Sequence, residues 1–165
     1  MANNTKTNAV RLLERAKIKF DVIPYEVDEN DLAATHVAEQ LGEDISLVFK
    51  TLVLQGERAG YFVCVIPGDK EVDLKKAARA FGVKKAEMIA MKELLPVTGY
   101  IRGGCSPVGM KKSFPTFFDI SATDHDAIFV SAGVRGLQIK ISPTDLIGFV
   151  KAGTADLTRS NDPLS

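Results

Sequence analysis

Two apolar segments in the first half of the chain restrict how it can fold. Residues 45–54 and 61–66 are almost entirely apolar and rich in β-branched side chains and leucine, and each is followed within two residues by a glycine, Gly56 or Gly68. Short apolar runs with such endings are typical of buried β-strands. We therefore predict that the two segments pair as a hairpin inside the protein. Neither is long enough to span a membrane, which takes about 20 apolar residues.

Around this hairpin, the spacing of apolar residues predicts helices and further strands. The predicted helices cover residues 8–17, 31–42 with Asp31 as cap, 73–82 with Asp73 as cap, 91–95 as a short turn before Pro96, and 143–150 with Ser142 as cap. The predicted strands outside the hairpin cover residues 18–27, 116–120, 127–130 and 137–141. Because helices and strands alternate irregularly, the pattern favours an α+β fold with a mixed sheet. At 165 residues the chain fits a single domain, 1–165, in which about 155–165 are free to fray.

Composition and charge do not indicate a polyanion partner for the molecule as a whole. The chain has 45% hydrophobic and 25% charged residues, and its 21 basic side chains balance its 21 acidic ones. The charge is uneven, since residues 21–44 hold eight acidic side chains and no lysine or arginine, whereas residues 70–112 hold ten lysines and arginines and four acidic side chains. This distribution fits either one basic face toward a phosphate backbone or ordinary solvated helix faces. The candidates for a phosphate-facing surface are Lys75, Lys76, Arg79, Lys84, Lys85, Lys111 and Lys112.

The beginning of the chain and its cysteines favour a cytoplasmic protein. The first residues are polar and no apolar stretch follows, so no signal peptide is predicted. Two cysteines, Cys64 and Cys105, are too few for a disulfide framework, and we predict that both are reduced. Without a signal peptide or an apolar run long enough to span a bilayer, we expect no membrane partner. We also expect no DNA partner, since the charges balance over the whole molecule.

The residues needed for metal hydrolysis or for a catalytic triad are not arranged in recognisable motifs. His36 and His125 lie far apart in sequence, without a second histidine or paired cysteines at ligand spacing, so no metal site is predicted. A Gly-x-Ser-x-Gly turn, which would mark a serine nucleophile, is also missing. Cys105 lies in a loop and could be a nucleophile, but without an adjacent base it is more simply a packing residue, and Cys64 is predicted to lie in the core. No cofactor is predicted, because the glycines match neither the Walker nor the dinucleotide spacing.

Lys50 is the unusual residue, because it interrupts an otherwise apolar predicted strand. A buried ammonium group costs free energy unless it is paired, hydrogen-bonded or open to a wet pocket. One interpretation is a lysine near the end of a strand whose ammonium reaches solvent. The other is a lone donor in a pocket, suited to binding a carbonyl or phosphate oxygen.

Two glycine-rich loops are the other candidates for a site. Residues 102–109 contain three glycines and a proline, and residues 131–136 form a small-residue turn between two predicted strands. Each is either a plain turn or a place where the backbone comes close to a ligand. In the second loop, Gly133 would permit that approach, with Ser131 and Arg135 as hydrogen-bond donors. Residue chemistry alone thus outlines a small pocket with one lysine and two glycine-rich loops.

Together these features resemble the YbaK/EbsC family of aminoacyl-tRNA deacylases, which are related to the editing domain inserted in bacterial prolyl-tRNA synthetases. The similar segments follow the family's order and spacing and cover essentially the whole chain. They are Val-Phe-Lys-Thr-Leu at 48–52, Asp-Leu-Lys-Lys at 73–76, Thr-Gly-Tyr at 98–100, Gly-Gly-Cys-Ser-Pro-Val-Gly-Met-Lys-Lys at 103–112 and Ser-Ala-Gly-Val-Arg-Gly-Leu at 131–137. The resemblance implies a mixed, mostly antiparallel sheet that is partly closed like a barrel and flanked by helices, with a pocket under the strand that carries Lys50.

The resemblance also implies an activity, the removal of cysteine from mischarged Cys-tRNA(Pro) by an enzyme that acts in trans. Cysteine and proline are similar in size, so binding alone separates them weakly and a second, hydrolytic site is needed. In this family the cysteinyl thiol attacks its own ester and forms a thiolactone. The implied partners are the acceptor end of a mischarged tRNA and prolyl-tRNA synthetase. Two alternatives stay open: a deacylase for Ala-tRNA(Pro) or another small amino acid that activates water, and a non-catalytic module that binds aminoacyl-tRNA or a synthetase.

Carried onto this sequence, the family's site is centred on Lys50 as the essential catalytic group. The lysine would anchor the terminal adenosine or its phosphate and help to stabilise charge in the transition state. Gly103 and Gly104 would bring backbone donors to the aminoacyl carbonyl, while Ser106 and Pro107 would shape the pocket.

The same resemblance implies a second group of residues that contact the substrate. Tyr25, Thr51 and Ser131 would line the substrate site. Gln138 is a departure, because some relatives carry an aspartate at this position. An amide accepts hydrogen bonds but cannot pair with the substrate's α-ammonium as an opposite charge. That contact, and with it the choice of substrate, therefore differs from those relatives.

Overall fold

The two apolar segments form the predicted hairpin, and the other elements pack around it. The structure, a computed structural model, describes residues 6–57 and 60–159. Its strands are β1 (Phe20–Pro24), β2 (Phe49–Gly56), β3 (Tyr61–Pro67), β4 (Ala86–Met88), β5 (Thr116–Asp119), β6 (Ile128–Ser131), β7 (Leu137–Ile141) and β8 (Gly153–Ala155). Its α-helices are α1 (Asn8–Arg15), α2 (Ala34–Leu41), α3 (Leu74–Phe81), α4 (Leu94–Thr98) and α5 (Pro143–Val150), and short 3-10 helices span Ile45–Leu47, Met91–Glu93 and Ile120–Asp124. No helix within the described residues is long and apolar enough to cross a membrane.

The strands form two sheets, and the hairpin lies in the larger one. In the smaller sheet the order is β1-β7-β6, and both pairs are antiparallel. In the larger sheet the order is β4-β2-β3-β5-β8, with β4-β2 and β2-β3 antiparallel and β3-β5 and β5-β8 parallel. The sequence-based expectation of an α+β fold with mixed, mostly antiparallel pairing and flanking helices is confirmed.

The expectation of one sheet that is partly closed like a barrel is wrong. A barrel needs a continuous ladder of paired strands around its circumference. Here neither sheet is closed, and the two sheets meet through an isolated bridge between Val48 and Phe129, just before β2 begins. A single bridged pair does not make a ladder, so the fold consists of two open sheets in contact.

The larger sheet is buried on both faces, because alternate side chains of the hairpin enter two different clusters. Val53 and Val63 belong to a core that also contains residues of α1, β7 and α5. Leu54, Phe62 and Cys64 face the opposite way and pack with residues of α3. Burial on both faces explains why these segments are almost continuously apolar instead of alternating between apolar and polar residues.

Two predicted helix caps are confirmed and one is wrong. Asp73 caps α3 and Ser142 caps α5, each accepting hydrogen bonds from N–H groups of the first turn. The side chain of Asp31 instead accepts from the N–H of Ala33 at 3.3 Å, so it closes a turn ahead of α2. The helix begins only at Ala34, and it ends at Gly42 as predicted.

Two predicted boundaries differ from the structure for local reasons. Residues 45–54 do not form one strand, because the side chain of Asp44 accepts from the N–H of Ser46 at 2.8 Å and starts a 3-10 helix before β2. Pro96, expected to follow a helical turn, lies inside α4. It is tolerated there because the N–H groups of a first helical turn have no intrahelical partner.

Two short edge strands, β4 and β8, were not predicted. Three residues are too few to show a periodic pattern, so these strands depend on pairing with a neighbour. After β8 the chain stays attached, since the N–H of Asp73 donates to the carbonyl of Leu157 at 2.7 Å and the N–H of Arg159 donates to that of Glu71 at 2.9 Å. The part of the expected frayed segment up to Arg159 is therefore held in place, whereas residues 160–165 lie outside the described residues.

We expect two glycine-to-alanine substitutions to change stability in opposite directions. A methyl group at Gly153 would lie 2.1 Å from Cε1 of Phe117, whose ring also packs on Phe81 with 4.8 Å between centroids. Forcing the ring aside should lower the free energy of unfolding by about 1–3 kcal/mol. At Gly148 in α5 nothing lies within 4 Å of such a methyl group, so Gly148→Ala should raise this free energy by up to about 1 kcal/mol. Urea denaturation measures both changes, and shifts of the same sign would contradict this account.

Candidate functional site

A cavity of about 510 Å³ opens beside one edge of β2. On that side β2 pairs with β4 only near its C-terminal end and meets the smaller sheet only at the bridge between Val48 and Phe129. Among the described residues no strand pairs with this edge in between. The walls come from this part of β2, the start of α2, the turn after β3, residues 88–94, the loop at 102–105 and the β6–β7 hairpin. The volume lies in the range of about 300–1,000 Å³ that is typical of small-molecule sites.

Lys50 lines this cavity with a half-buried side chain. Its Nζ donates to the backbone carbonyl of Gly68 at 3.2 Å, and no second acceptor for it is found within the described part of the chain. An ammonium group has three donors, so two remain for a ligand. Burial lowers the pKa of Lys50 below its ordinary value of 10.5, while Glu71 and Asp69 act in the opposite direction. A process that needs the charged form is therefore lost as the pH rises through this lowered pKa.

Gly68 presents its carbonyl to Lys50 because the chain passes very close to its neighbours at this turn. A methyl group at Gly68 would lie 2.4 Å from Cβ of Ala34 and 3.0 Å from the carbonyl oxygen of Val48. The N–H of Gly68 donates to that same oxygen at 2.8 Å. Only glycine fits this contact, which holds the turn against the beginnings of α2 and β2 and so fixes the acceptor of the ammonium.

Two buried oxygen atoms of cavity-lining residues, Oγ1 of Thr51 and Oε1 of Gln138, have no hydrogen-bond partner within the described residues. Gln138 is only 5% exposed, and the register of β7 places it opposite Ser131, which also lines the cavity. Leaving a buried polar atom unsatisfied costs about 1–3 kcal/mol, so each such atom in a protein needs an explanation. Both residues line the cavity, but the two oxygens are shielded from solvent, so a ligand with N–H or O–H donors becomes their partner only when these side chains turn toward it.

The two glycine-rich loops pack against each other, and one of them forms part of the wall. A methyl group at Gly104 would lie 3.2 Å from Cα of Val134, and Nε of Arg135 donates to the carbonyl of Arg102 at 2.8 Å. Gly103 has a φ of +84°, in the left-handed region that favours glycine, and lines the cavity together with Arg102. The loops are thus structural turns, and the first also brings backbone to the cavity.

Of the eleven predicted site residues, five line the cavity and six do not. Those in the wall are Lys50, Thr51, Gly103, Ser131 and Gln138. Those outside it are Tyr25, Gly104, Ser106, Pro107, Gly133 and Arg135.

The residues outside the wall have structural contacts that account for their positions. Tyr25 packs in a small cluster around Val37 and Phe129. Ser106 is buried, and its Oγ accepts from the N–H of Val108 at 3.2 Å. These contacts are structural, so the role in substrate binding that was predicted for the six residues outside the wall stays a prediction.

Most of the wall that sequence reasoning missed is apolar. It includes Leu32, Ala33, Met88, Met91 and Leu94, together with Arg102. Apolar side chains in a pocket carry no chemical pattern that separates them from core residues. Arg102 could have been selected as a site candidate from the sequence, since it directly precedes the glycine pair of the first loop.

Among the described residues, the cavity does not bring a nucleophile together with a general base. Cys105 lines it, but burial raises the pKa of its thiol to about 12, so the thiol stays protonated near neutral pH. Nδ1 of His36 lies 3.7 Å from Oδ2 of Asp31. His125 packs edge-on against Phe49, with 6.5 Å between the ring centroids. Neither histidine lines the cavity. Over residues 6–57 and 60–159, no group of three or more His, Cys, Asp or Glu side chains could hold a metal ion.

Comparison with known proteins relates this chain to tRNA editing proteins. The family described as an aminoacyl-tRNA editing domain matches residues 29–149. EbsC of Enterococcus faecalis (strain ATCC 700802 / V583), named as a Cys-tRNA(Pro)/Cys-tRNA(Cys) deacylase, is 47% identical over 153 residues, which cover 93% of each chain. A proline-tRNA ligase of Thermosipho africanus (strain TCF52B) is 34% identical over 76 residues, 46% of this chain and 13% of the ligase. A crystal structure described as a trans-editing enzyme for prolyl tRNA synthetase shares the fold, with a TM-score of 0.80 at 23% identity over 94% of this chain and 100% of that one.

We expect Cys105 to be chemically unreactive even though it lines the cavity. Burial raises the pKa of this thiol and of the Cys64 thiol to about 12, so the reactive thiolate is rare at neutral pH. Iodoacetamide should therefore alkylate the native protein much more slowly than the urea-unfolded protein, as mass spectrometry would show. Cys105→Ala should leave the rate of ester cleavage nearly unchanged. Rapid alkylation of Cys105, together with a large loss of rate in the variant, would identify it as a nucleophile.

Proposed function

The chain belongs to the aminoacyl-tRNA editing family, and on that premise we propose that it is a trans-editing deacylase that removes cysteine from mischarged Cys-tRNA(Pro). The observation that carries the proposal is the chemistry of the cavity. Its wall contains the half-buried ammonium of Lys50 beside the protonated thiol of Cys105. Thr51 and Gln138 of the same wall each have a buried oxygen with no partner among the described residues. Such a cavity can bind and polarise an ester but lacks an activated nucleophile among its described residues. A substrate that brings its own thiol fits it.

Two of the relatives support the choice of substrate. The name of the Enterococcus protein specifies cysteinyl esters of tRNA, and that protein is similar along nearly the whole of both chains. Similarity to part of a proline-tRNA ligase supports the link to the tRNA for proline. The cavity volume of about 510 Å³ suits a small aminoacyl group together with a nucleoside.

In the proposed reaction the substrate's cysteinyl sulfur attacks the carbonyl carbon of its own ester. The bond from that carbon to the ribose oxygen breaks, a four-membered thiolactone forms, and the thiol proton passes through solvent to the ribose oxygen, which leaves as a hydroxyl. Water then opens the thiolactone to free cysteine. The protein holds the thiol in an attacking position and stabilises the negative charge that develops on the carbonyl oxygen.

Each polar group of the cavity has a role in this proposal. The two free donors of Lys50 bind oxygen atoms of the terminal adenosine or its phosphate and counter the developing charge. Gly103 contributes backbone in the same wall. The side chains of Thr51 and Gln138 turn toward the bound substrate, and their oxygens then accept from its α-ammonium. Because Gln138 is neutral, it orients the ammonium through hydrogen bonding without a charge pair. Selection then rests on the shape of the cavity and on the substrate's thiol.

We place the acceptor end of the tRNA at this cavity and assign recognition of the rest of the tRNA to prolyl-tRNA synthetase. The formal net charge is zero. Two of the candidate phosphate-binding lysines are already paired, Lys76 with Asp156 at 2.8 Å and Lys85 with Glu87 at 3.4 Å. Since phosphate contacts supply most of the sequence-independent affinity for nucleic acids, both facts support weak binding of tRNA by this chain alone. A synthetase partner would supply the missing specificity.

Release of labelled amino acid from Cys-tRNA(Pro), Ala-tRNA(Pro) and Pro-tRNA(Pro) tests the proposed reaction. We expect rapid release of cysteine and little release of alanine or proline, because only cysteine carries a thiol. Release of alanine as fast as cysteine would indicate an activated water and a broader deacylase. If no ester is cleaved at high enzyme concentration, deacylation is contradicted and the cavity belongs to a binding module.

Variants of Lys50 test the central residue of the proposal. Lys50→Ala should lower kcat by at least about 100-fold, as loss of a donor to a developing oxyanion does. The fold should survive, because alanine places an apolar group in an apolar strand, and circular dichroism would verify this. Lys50→Arg retains the charge but not the compact ammonium, so it should recover only part of the rate. If Lys50→Ala unfolds the protein, the residue is structural, and full activity in that variant would remove it from the mechanism.

A further inference from the structure

Four large apolar side chains stand exposed beside the cavity. Met88 is 46% exposed, Met91 60%, Leu95 52% and Ile101 47%. We call these four residues the apolar rim. Met88 and Met91 themselves line the cavity, and the other two are next in sequence to residues that do. The rim therefore continues the cavity wall onto the outer surface.

The fold holds these side chains in the open. Met91 and Leu95 are four residues apart in a continuous helical stretch, so they lie on the same side of it. The side chain of Glu93 accepts from the N–H of Ala90 at 3.1 Å and fixes the start of that stretch. At its end the N–H of Gly99 donates to the carbonyl of Leu95 at 2.8 Å. Leu94 and Val97 of the same stretch pack against the core, so Met91 and Leu95 lie on the side that remains exposed.

The charge around the rim is positive. Residues 85–112 contain five basic and two acidic side chains. Glu87 is paired with Lys85 at 3.4 Å, which leaves Lys92, Arg102, Lys111 and Lys112 against Glu93. The carboxylate of Glu93 is already engaged with the backbone. Arg102 also lines the cavity, so a cation stands where the rim and the cavity meet. A ligand that covers this surface needs apolar faces and negative charge together.

We propose that the apolar rim binds the unpaired nucleotides that precede the terminal adenosine of the aminoacyl-tRNA. This inference rests on the proposed function, since the cavity then holds the aminoacyl group and the terminal nucleoside, and the nucleotides before it must lie outside. Bases offer flat apolar faces and the chain that links them carries phosphates, which matches side chains such as Met91 and Leu95 set among cations. Stacking of this kind is tolerant of sequence, so the rim positions the acceptor end without reading tRNA identity.

The observations favour a nucleic acid over a protein on this surface. A specific protein interface buries about 1,200–2,000 Å², far more than four side chains can supply. The rim is also continuous with a cavity assigned to the end of the same nucleotide chain. Binding of a synthetase at the rim is an alternative that the experiment below separates.

Binding of short RNA tests the rim independently of catalysis. The probe is a fluorescein-labelled single-stranded RNA that ends in cytidine, cytidine and adenosine. A matched control RNA carries abasic sugars in place of the two cytidines. By fluorescence anisotropy, the wild type should bind the RNA with bases at least about fivefold more tightly than the abasic RNA, as loss of base stacking predicts. A double variant at the two rim residues that do not line the cavity, Leu95→Ser with Ile101→Ser, should bind both RNAs equally. The matched control is Ile120→Ser, which removes a side chain that is 48% exposed and does not line the cavity, and it should keep the difference.

Turnover separates failure of the rim from failure of the proposed function. The double variant should lose kcat/KM on Cys-tRNA(Pro) through a higher KM, while its rate on 3′-O-cysteinyl-adenosine stays that of the wild type. Equal losses on both esters would mean that the rim only supports the cavity.

Equal binding of the two RNAs by the wild type would overturn the proposal. Loss of synthetase binding in the double variant would then assign the rim to a protein. If neither ester is cleaved by the wild type, the proposed function fails, and the RNA binding data still decide what the rim binds.

Discussion

Strand β2 buries side chains on both faces, and yet part of one of its edges has no strand partner within residues 6–57 and 60–159. Burial on two faces fixes the strand between two apolar clusters, so its position and register are strongly determined. The unpaired edge leaves room between the two sheets, and the cavity fills that room. Because side chains alternate along the strand, Lys50 and Thr51 reach the cavity from opposite faces around the same edge. The open edge is therefore what brings a cation and an unpaired hydroxyl oxygen into one small space.

The cavity contains groups suited to binding but, among the described residues, no activated nucleophile. The ammonium of Lys50 is held by one backbone carbonyl, which is enough to keep it in place while two of its donors stay free. Within the described residues the oxygens of Thr51 and Gln138 have no hydrogen-bond partner, and a buried polar atom without a partner costs free energy. Cys105 is in the same wall, but the apolar surroundings that make the cavity a binding site also keep its thiol protonated. Chemistry that depends on the substrate's own thiol is consistent with such a site.

Local signals in the sequence were sufficient for elements that carry their own pattern, and insufficient for features that arise between elements. The hairpin and the caps at Asp73 and Ser142 follow from apolar runs and from side chains that bond neighbouring N–H groups. Strands β4 and β8 and the open form of both sheets depend on contacts distant in sequence, which no short pattern records. Lys50 was identifiable because a cation in an apolar run breaks that pattern. Met91 was not, because an apolar residue gives no sign of whether it faces a core, a cavity or solvent.

The hydrogen bond from Lys50 to Gly68 also gives the cavity a spectroscopic signature. The carbonyl of Gly68 and the N–H of Asp69 belong to the same peptide group, so an ammonium that polarises the carbonyl also changes the electron density at the amide nitrogen. A ligand that draws the ammonium away alters this polarisation, as does a rise in pH that removes its proton. The nitrogen-15 chemical shift of Asp69, an exposed residue, therefore follows the state of a half-buried lysine. The hydrogen bond between Lys50 and Gly68 thus makes the Asp69 amide signal a reporter of ligand binding in the cavity, and the ligand itself needs no label.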